Sequence, residues 1–193
     1  MNTLIFATNN QHKAEEVRQV LGSIFDIITL KEAGIDIEIP EPHVTLEANA
    51  SEKSTTIFNL TQQNCFSEDT GLEVDYLNGE PGVKSARYAG DDRSFKANME
   101  KLLQKMGETE NRTARFRTIV SLILEKMEYQ FEGICEGTII LKERGDEGFG
   151  YDPIFIPEGS YLTFAEMSIQ EKGEFSHRKK AMDKLIAFLQ SKK

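Results

Sequence analysis

The chain has 193 residues, 39% of them hydrophobic and 28% charged, which suits one folded domain with a real core. Acidic residues outnumber basic ones 32 to 23, for a formal charge of -9. That balance argues against an extended nucleic-acid surface, and a polyanionic ligand would need local Lys and Arg residues and a divalent cation. No apolar run approaches the roughly 20 residues that span a bilayer, and the amino terminus lacks the basic region of a signal peptide, so the expectation is a cytoplasmic protein with no membrane contact.

In chain order, residues 3–7 form an apolar run read as a strand. Thr8-Asn9-Asn10 follows, and 11–21 has helical spacing, with Ala14, Val17 and Leu21 on one face and Gly22 at the C-cap position. A second short strand is expected at 27–30. An acidic loop from Glu32 to Glu41 is closed by Pro40 and Pro42. Residues 45–59 read as a helix, with Thr45 as N-cap.

Residues 64–67 read as a strand ending at Glu68-Asp69-Thr70-Gly71, with 72–76 extended beyond it. The segment Asn78-Gly79-Glu80-Pro81-Gly82 is turn-rich. A helix is expected at 94–106, ending at Gly107. Residues 113–125 alternate as a long strand, with Ala114, Phe116, Thr118, Val120, Leu122 and Leu124 on one face. Residues 129–135 pair with it as a hairpin through 126–128, and 137–143 continue the sheet. The stretch 145–153 is glycine-rich, 154–156 is short and extended, and 176–190 is the last helix. Its residues Ala181, Leu185, Ile186 and Leu189 face inward. Helices alternating with strands early and a meander later argue for an α/β fold with a mixed sheet. Cys65 and Cys135 form no CxxC pair, so zinc and redox chemistry are unsupported, and both read as buried free thiols.

Five stretches carry candidate chemistry. Thr8-Asn9-Asn10-Gln11-His12-Lys13 lies at a strand-to-helix junction, where helix N–H groups can hold phosphate, or where an Asn simply caps. The Glu68-Asp69-Thr70-Gly71 stretch offers carboxylates for magnesium or for a proton from water, or is an acidic turn. Glu38 and Glu41 sit in an acidic loop that supplies a second metal ligand only if it folds over the site. Phe149-Gly150-Tyr151-Asp152-Pro153 combines close backbone approach with aromatic rings that can stack on a base, or that anchor a core. Ser176-His177-Arg178, with Lys172 before it, gathers donors at a helix start.

In this order and spacing, the stretches closely resemble the inosine triphosphate pyrophosphatase family, which hydrolyses non-standard purine nucleoside triphosphates. The matching text also includes Gly79-Glu80-Pro81-Gly82-Val83-Lys84-Ser85-Ala86-Arg87-Tyr88 and Gly148 to Phe155, so the resemblance covers nearly the whole chain. One departure is Thr-Asn-Asn in the first turn, where many members have Thr-Gly-Asn. The resemblance implies an α/β protein with a strongly twisted mixed sheet and flanking helices. It also implies two lobes around a central cleft, a single pyrophosphatase domain over 1–193, and a homodimer. It assigns the triphosphate to Thr8, Asn9, Asn10, Gln11, His12, Lys13 and Lys53. Asp69 is then general base and Mg²⁺ ligand, Glu41 the second acidic metal position, with Glu68 a neighbour, and Thr70 a substrate contact. Phe149, Gly150, Tyr151, Asp152, Lys172, His177 and Arg178 form the base pocket. The products expected from ITP, dITP and XTP are the monophosphate and pyrophosphate. Two rival readings remain open: a pyrophosphatase for modified pyrimidine or methylated nucleotides, and a nucleotide-binding regulator without turnover.

Overall fold

The computed structural model describes residues 2–21 and 24–191. The C-cap expected at Gly22 lies outside the described residues. The chain divides into two compact units, 1–69 with 118–133 and 178–193, and 70–117 with 134–177.

In the first unit, β1 (Asn2–Phe6) pairs in parallel with β2 (Phe25–Thr29) and with the start of β3 (Cys65–Val74). Beside β3 lie β5 (Thr113–Leu124) and then β6 (Met127–Ile139). Alternation sorts β1 into two faces. Leu4 and Phe6 join Val17 and Leu21 of α1 (Gln11–Leu21) and Ala181, Met182 and Leu185 of α5 (His177–Ser191). Ile5 and Ala7 pack instead with Ile57 of α2 (Leu46–Thr61). A sheet covered on both faces explains why β1 reads as a continuous apolar run rather than an alternating one. Phe6 and Phe66 stack at 4.5 Å between neighbouring strands. Thr45 caps α2 as expected, its hydroxyl accepting from the Ala48 N–H.

In the second unit, β4 (Pro81–Gly82) pairs antiparallel with the end of β3, and β7 (Phe155–Pro157) antiparallel with the end of β6. The helix α3 (Phe95–Met106) contributes Met99, Leu102 and Met106 to a core with Leu72, Phe116, Tyr151, Phe155 and Phe164. Gly107 ends α3 as the sequence predicts, and Ser94, read as its first residue, is instead its N-cap.

Three expectations change. The acidic stretch is not a turn: β3 runs unbroken from Cys65 to Val74, with Asp69 at its middle. Gly71 is needed for proximity, because a Cβ there would lie 2.6 Å from the Gly82 carbonyl oxygen on β4. The hairpin turns at Glu125 and Lys126, both at positive φ, so β6 already begins at Met127 and ends at Ile139. A further helix, α4 (Ile169–Phe175), precedes α5.

Candidate active site

The residues singled out from sequence fall into two groups, each contained in one unit. The first is organised by β3. Side chains alternate along a strand, so adjacent carboxylates Glu68 and Asp69 point to opposite faces. Phe66 and Glu68 share the face covered by α1 and α5, whereas Cys65, Ser67 and Asp69 share the face covered by α2.

On the α1 and α5 side, the Arg178 guanidinium donates to both Glu68 oxygens, at 2.6 and 3.1 Å, and also to Glu16. Lys13 Nζ lies 2.8 Å from Glu68. Arg178 is 1% exposed and Glu68 2%, so neither charge is answered by bulk water. Burial alone would raise the Glu68 carboxyl, but Arg178 and Lys13 hold it well below the usual carboxylate range. Glu16 follows Lys13 by three positions on α1, the helical spacing that brings both toward β3. Glu16 was missed from sequence, where the spacing alone does not show that its helix face meets a strand.

The helix they lead from starts at a built cap. Asn10 Oδ1 accepts from the Lys13 N–H at 3.2 Å, and the Thr8 hydroxyl accepts from the Asn10 N–H at 3.1 Å. Gln11 and His12 are exposed, and Asn9 reaches the Ile37 carbonyl at 3.5 Å.

On the α2 side, Lys53 Nζ lies 3.0 Å from Asp69 Oδ1 and 2.6 Å from Glu41 Oε1. Asn49 Nδ2 donates to the other Asp69 oxygen at 3.4 Å, and the Asn49 amide also bonds the His43 backbone N–H and carbonyl. The side chain of Asn49 thereby pins the loop two residues beyond Glu41. Asn49 and Lys53 are four apart on α2, so one helix face delivers both. Asn49 was missed from sequence for lack of that pairing. Burial raises the Asp69 carboxyl above its ordinary value; Lys53 and Lys13 pull against the rise and the Glu41 charge adds to it. Burial works against the Lys53 ammonium, yet Asp69 and Glu41 carry it above its usual value.

Glu41 rather than Glu38 therefore joins Asp69: Glu38 is exposed, while Glu68 serves the opposite face. Two carboxylates converging on one cation are hard oxygen donors of the kind Mg²⁺ takes, so the donor set fits that ion. Among the described residues, no group of three or more His, Cys, Asp or Glu could hold a metal unaided. A bound Mg²⁺ would depend on phosphate oxygens and water for its other ligands.

The second group lies in the other unit. Asp152 Oδ2 accepts from Lys172 Nζ at 2.7 Å and from the Phe149 N–H at 2.9 Å. Lys172 Nζ also sits 5.0 Å from the centre of the Phe149 ring and 5.2 Å from that of Phe164. Gly148 makes this possible: at φ +76°, a Cβ would stand 2.2 Å from Asp152 Oδ2. The Phe149 ring is half-buried, whereas Tyr151 is 3% exposed and its hydroxyl donates to the Ser85 carbonyl. Tyr151 is thus a core anchor. His177 stacks on Phe116, ring centres 4.9 Å apart. Thr70 and Gly150 are half-buried.

Comparison with known proteins adds a second line. A sequence model of the Ham1 family matches residues 4–188. A dITP/XTP pyrophosphatase of Porphyromonas gingivalis is 46% identical over 190 residues, covering 98% of this chain and 98% of that protein. A dITP/XTP pyrophosphatase of Flavobacterium psychrophilum is 44% identical over 188 residues, covering 97% and 99%. The solved structure of the Staphylococcus aureus Ham1 protein has a TM-score of 0.90 at 38% identity, over 100% of both chains.

Proposed function

This chain belongs to the Ham1 family, and we propose that it converts dITP, ITP and XTP to the monophosphate and pyrophosphate, cleansing the nucleotide pool, with the whole chain acting as one pyrophosphatase domain. The observation that carries the reading is the Asp69–Lys53–Glu41 constellation, a buried carboxylate and ammonium beside a half-buried second carboxylate.

In this reading Asp69, oriented by Asn49, accepts the proton of the water that attacks the α-phosphorus. Lys13, Lys53 and the polar turn of residues 8–13 hold the phosphate chain and balance charge on the departing pyrophosphate. Mg²⁺, held by Asp69 and Glu41, would neutralise phosphate charge and polarise phosphorus when bound. Phe149 stacks on the base, with Thr70, Gly150, Tyr151, Asp152, Lys172 and His177 shaping its surroundings. Arg178, its fork fixed by Glu68 and Glu16, donates to the 6-oxo oxygen. Adenine presents an amino group there, and a donor facing a donor is rejected strongly.

The resemblance also carries a homodimer and a cytoplasmic location into the proposal. Among the described residues, no helix is long and apolar enough to cross a membrane.

The test is pyrophosphate release from dITP, XTP, dGTP and dATP with Mg²⁺, for the native chain and Asp69→Asn. We expect preference for dITP and XTP, and a kcat loss of about 10²–10⁴-fold in Asp69→Asn with an unchanged circular dichroism spectrum. Equal rates on dGTP, or full turnover in Asp69→Asn, would reject the assignment.

A further inference from the structure

Lys53 has been given a phosphate to hold, yet in this structure its ammonium is held by the two carboxylates that the proposed function gives to a metal. Lys53 is 7% exposed, so the bridge is not a passing surface contact. A divalent cation drawn to Glu41 and Asp69 would meet a like charge already seated between them, at distances where such repulsion is large in a partly desolvated site. The described residues also offer no third acidic or histidine ligand that completes a metal group. A triphosphate changes both conditions at once. Its oxygens are alternative acceptors for the ammonium, and they are the ligands that Mg²⁺ prefers to take alongside one or two carboxylates.

We propose that Lys53 is a built-in counter-ion that keeps the Glu41–Asp69 pair closed to divalent metal until a nucleoside triphosphate arrives and draws the ammonium onto phosphate. The inference rests on the metal assignment of the proposed function and adds an order: the pair takes its cation together with the nucleotide. It also explains how a buried and a half-buried carboxylate persist beside one another, since the ammonium spans both.

The experiment is Mn²⁺ titration of the full chain without nucleotide, read by the electron paramagnetic resonance signal of free Mn²⁺. The proteins are native, Lys53→Met, Lys53→Gln, Lys53→Arg and the double variant Lys53→Met with Asp69→Asn, each first checked by thermal melting. Either neutral variant that melts cooperatively should bind Mn²⁺ at least about tenfold tighter than the native chain, since each removes the competing charge. Lys53→Arg should bind as weakly as native, and the double variant should lose the gain. Neutral variants that bind no tighter than native overturn the inference. Native protein titrated with a non-hydrolysable α,β-imido analogue of dITP separates the two readings. Failure to take up Mn²⁺ there defeats the metal assignment itself. Uptake there without any gain in the neutral variants defeats the counter-ion role alone.

Discussion

Glu68 and Asp69 are neighbours in sequence with the same functional group, and the strand sends them to different tasks. Glu68 is saturated by Arg178 and Lys13 and works as a structural anion. Asp69 shares Lys53 with Glu41, and its carboxyl is shifted the opposite way. Environment, not residue type, separates the roles. The consequence is testable on stability. Glu68→Gln removes the main partner of a fully buried guanidinium, which typically costs about 3 kcal/mol. At this chain length that lowers Tm by roughly 6–12 °C in calorimetry at neutral pH. A shift smaller than about 2 °C would mean that Arg178 is not balanced chiefly by Glu68.

At the scale of elements, the sequence was most legible where period and punctuation agreed. Residues 11–21 are helical as expected, and Thr45, Ser94 and Gly107 cap as their chemistry dictates. It was least legible where one local signal has two physical causes. Gly71 suggested a turn, but the glycine serves the close approach of β4 to an uninterrupted strand. The helix α4 was overlooked because it is short and contains Gly173, although Ser168 and Glu171 form a reciprocal capping box that marks its start. In the site, residue types and order pointed to Asp69 and Lys172, and the family resemblance supplied Lys53. The partners Glu16 and Asn49 depend on helix faces meeting a strand, which only tertiary packing fixes. Tyr151, read as a base contact or a core anchor, is in the core.

The glycine-rich segment gives the prediction that belongs to this scale. Gly148→Ala places a Cβ where the Asp152 carboxylate sits and should release Lys172 and the Phe149 N–H from it. Gly159→Ala is the control, because it has a similar positive φ and its nearest neighbour, at 3.8 Å, is an ordinary contact. Both should lose comparable stability from backbone strain, about 1–2 kcal/mol. Only Gly148→Ala should raise KM for dITP, by about tenfold or more, since small displacements of a positioning group are costly. Equal KM values in the two variants would detach Gly148 from substrate positioning.

For the whole molecule, the charge of -9 sets the terms. A triphosphate approaches against the global field, so its binding relies on local cations. In the proposed reading those of the first unit are Lys13 and Lys53, each held by carboxylates. In the second, Lys172 is held by Asp152. In that reading the protein stores its cations in ion pairs that a polyanionic substrate can compete for, and the pairs keep buried positive charge balanced. The same storage explains how so acidic a chain can serve an anionic substrate, and the proposed function directs its chemistry at the phosphorus nearest the nucleoside.

Hydrolysis of dITP in H₂¹⁸O, with the products resolved by mass spectrometry, tests that central claim most directly. Attack by water on the α-phosphorus forms one new P–O bond there and breaks the bond to the bridging oxygen, so dIMP should carry the ¹⁸O and pyrophosphate should carry none. Label in pyrophosphate, or release of labelled inorganic phosphate with dIDP, would contradict the account.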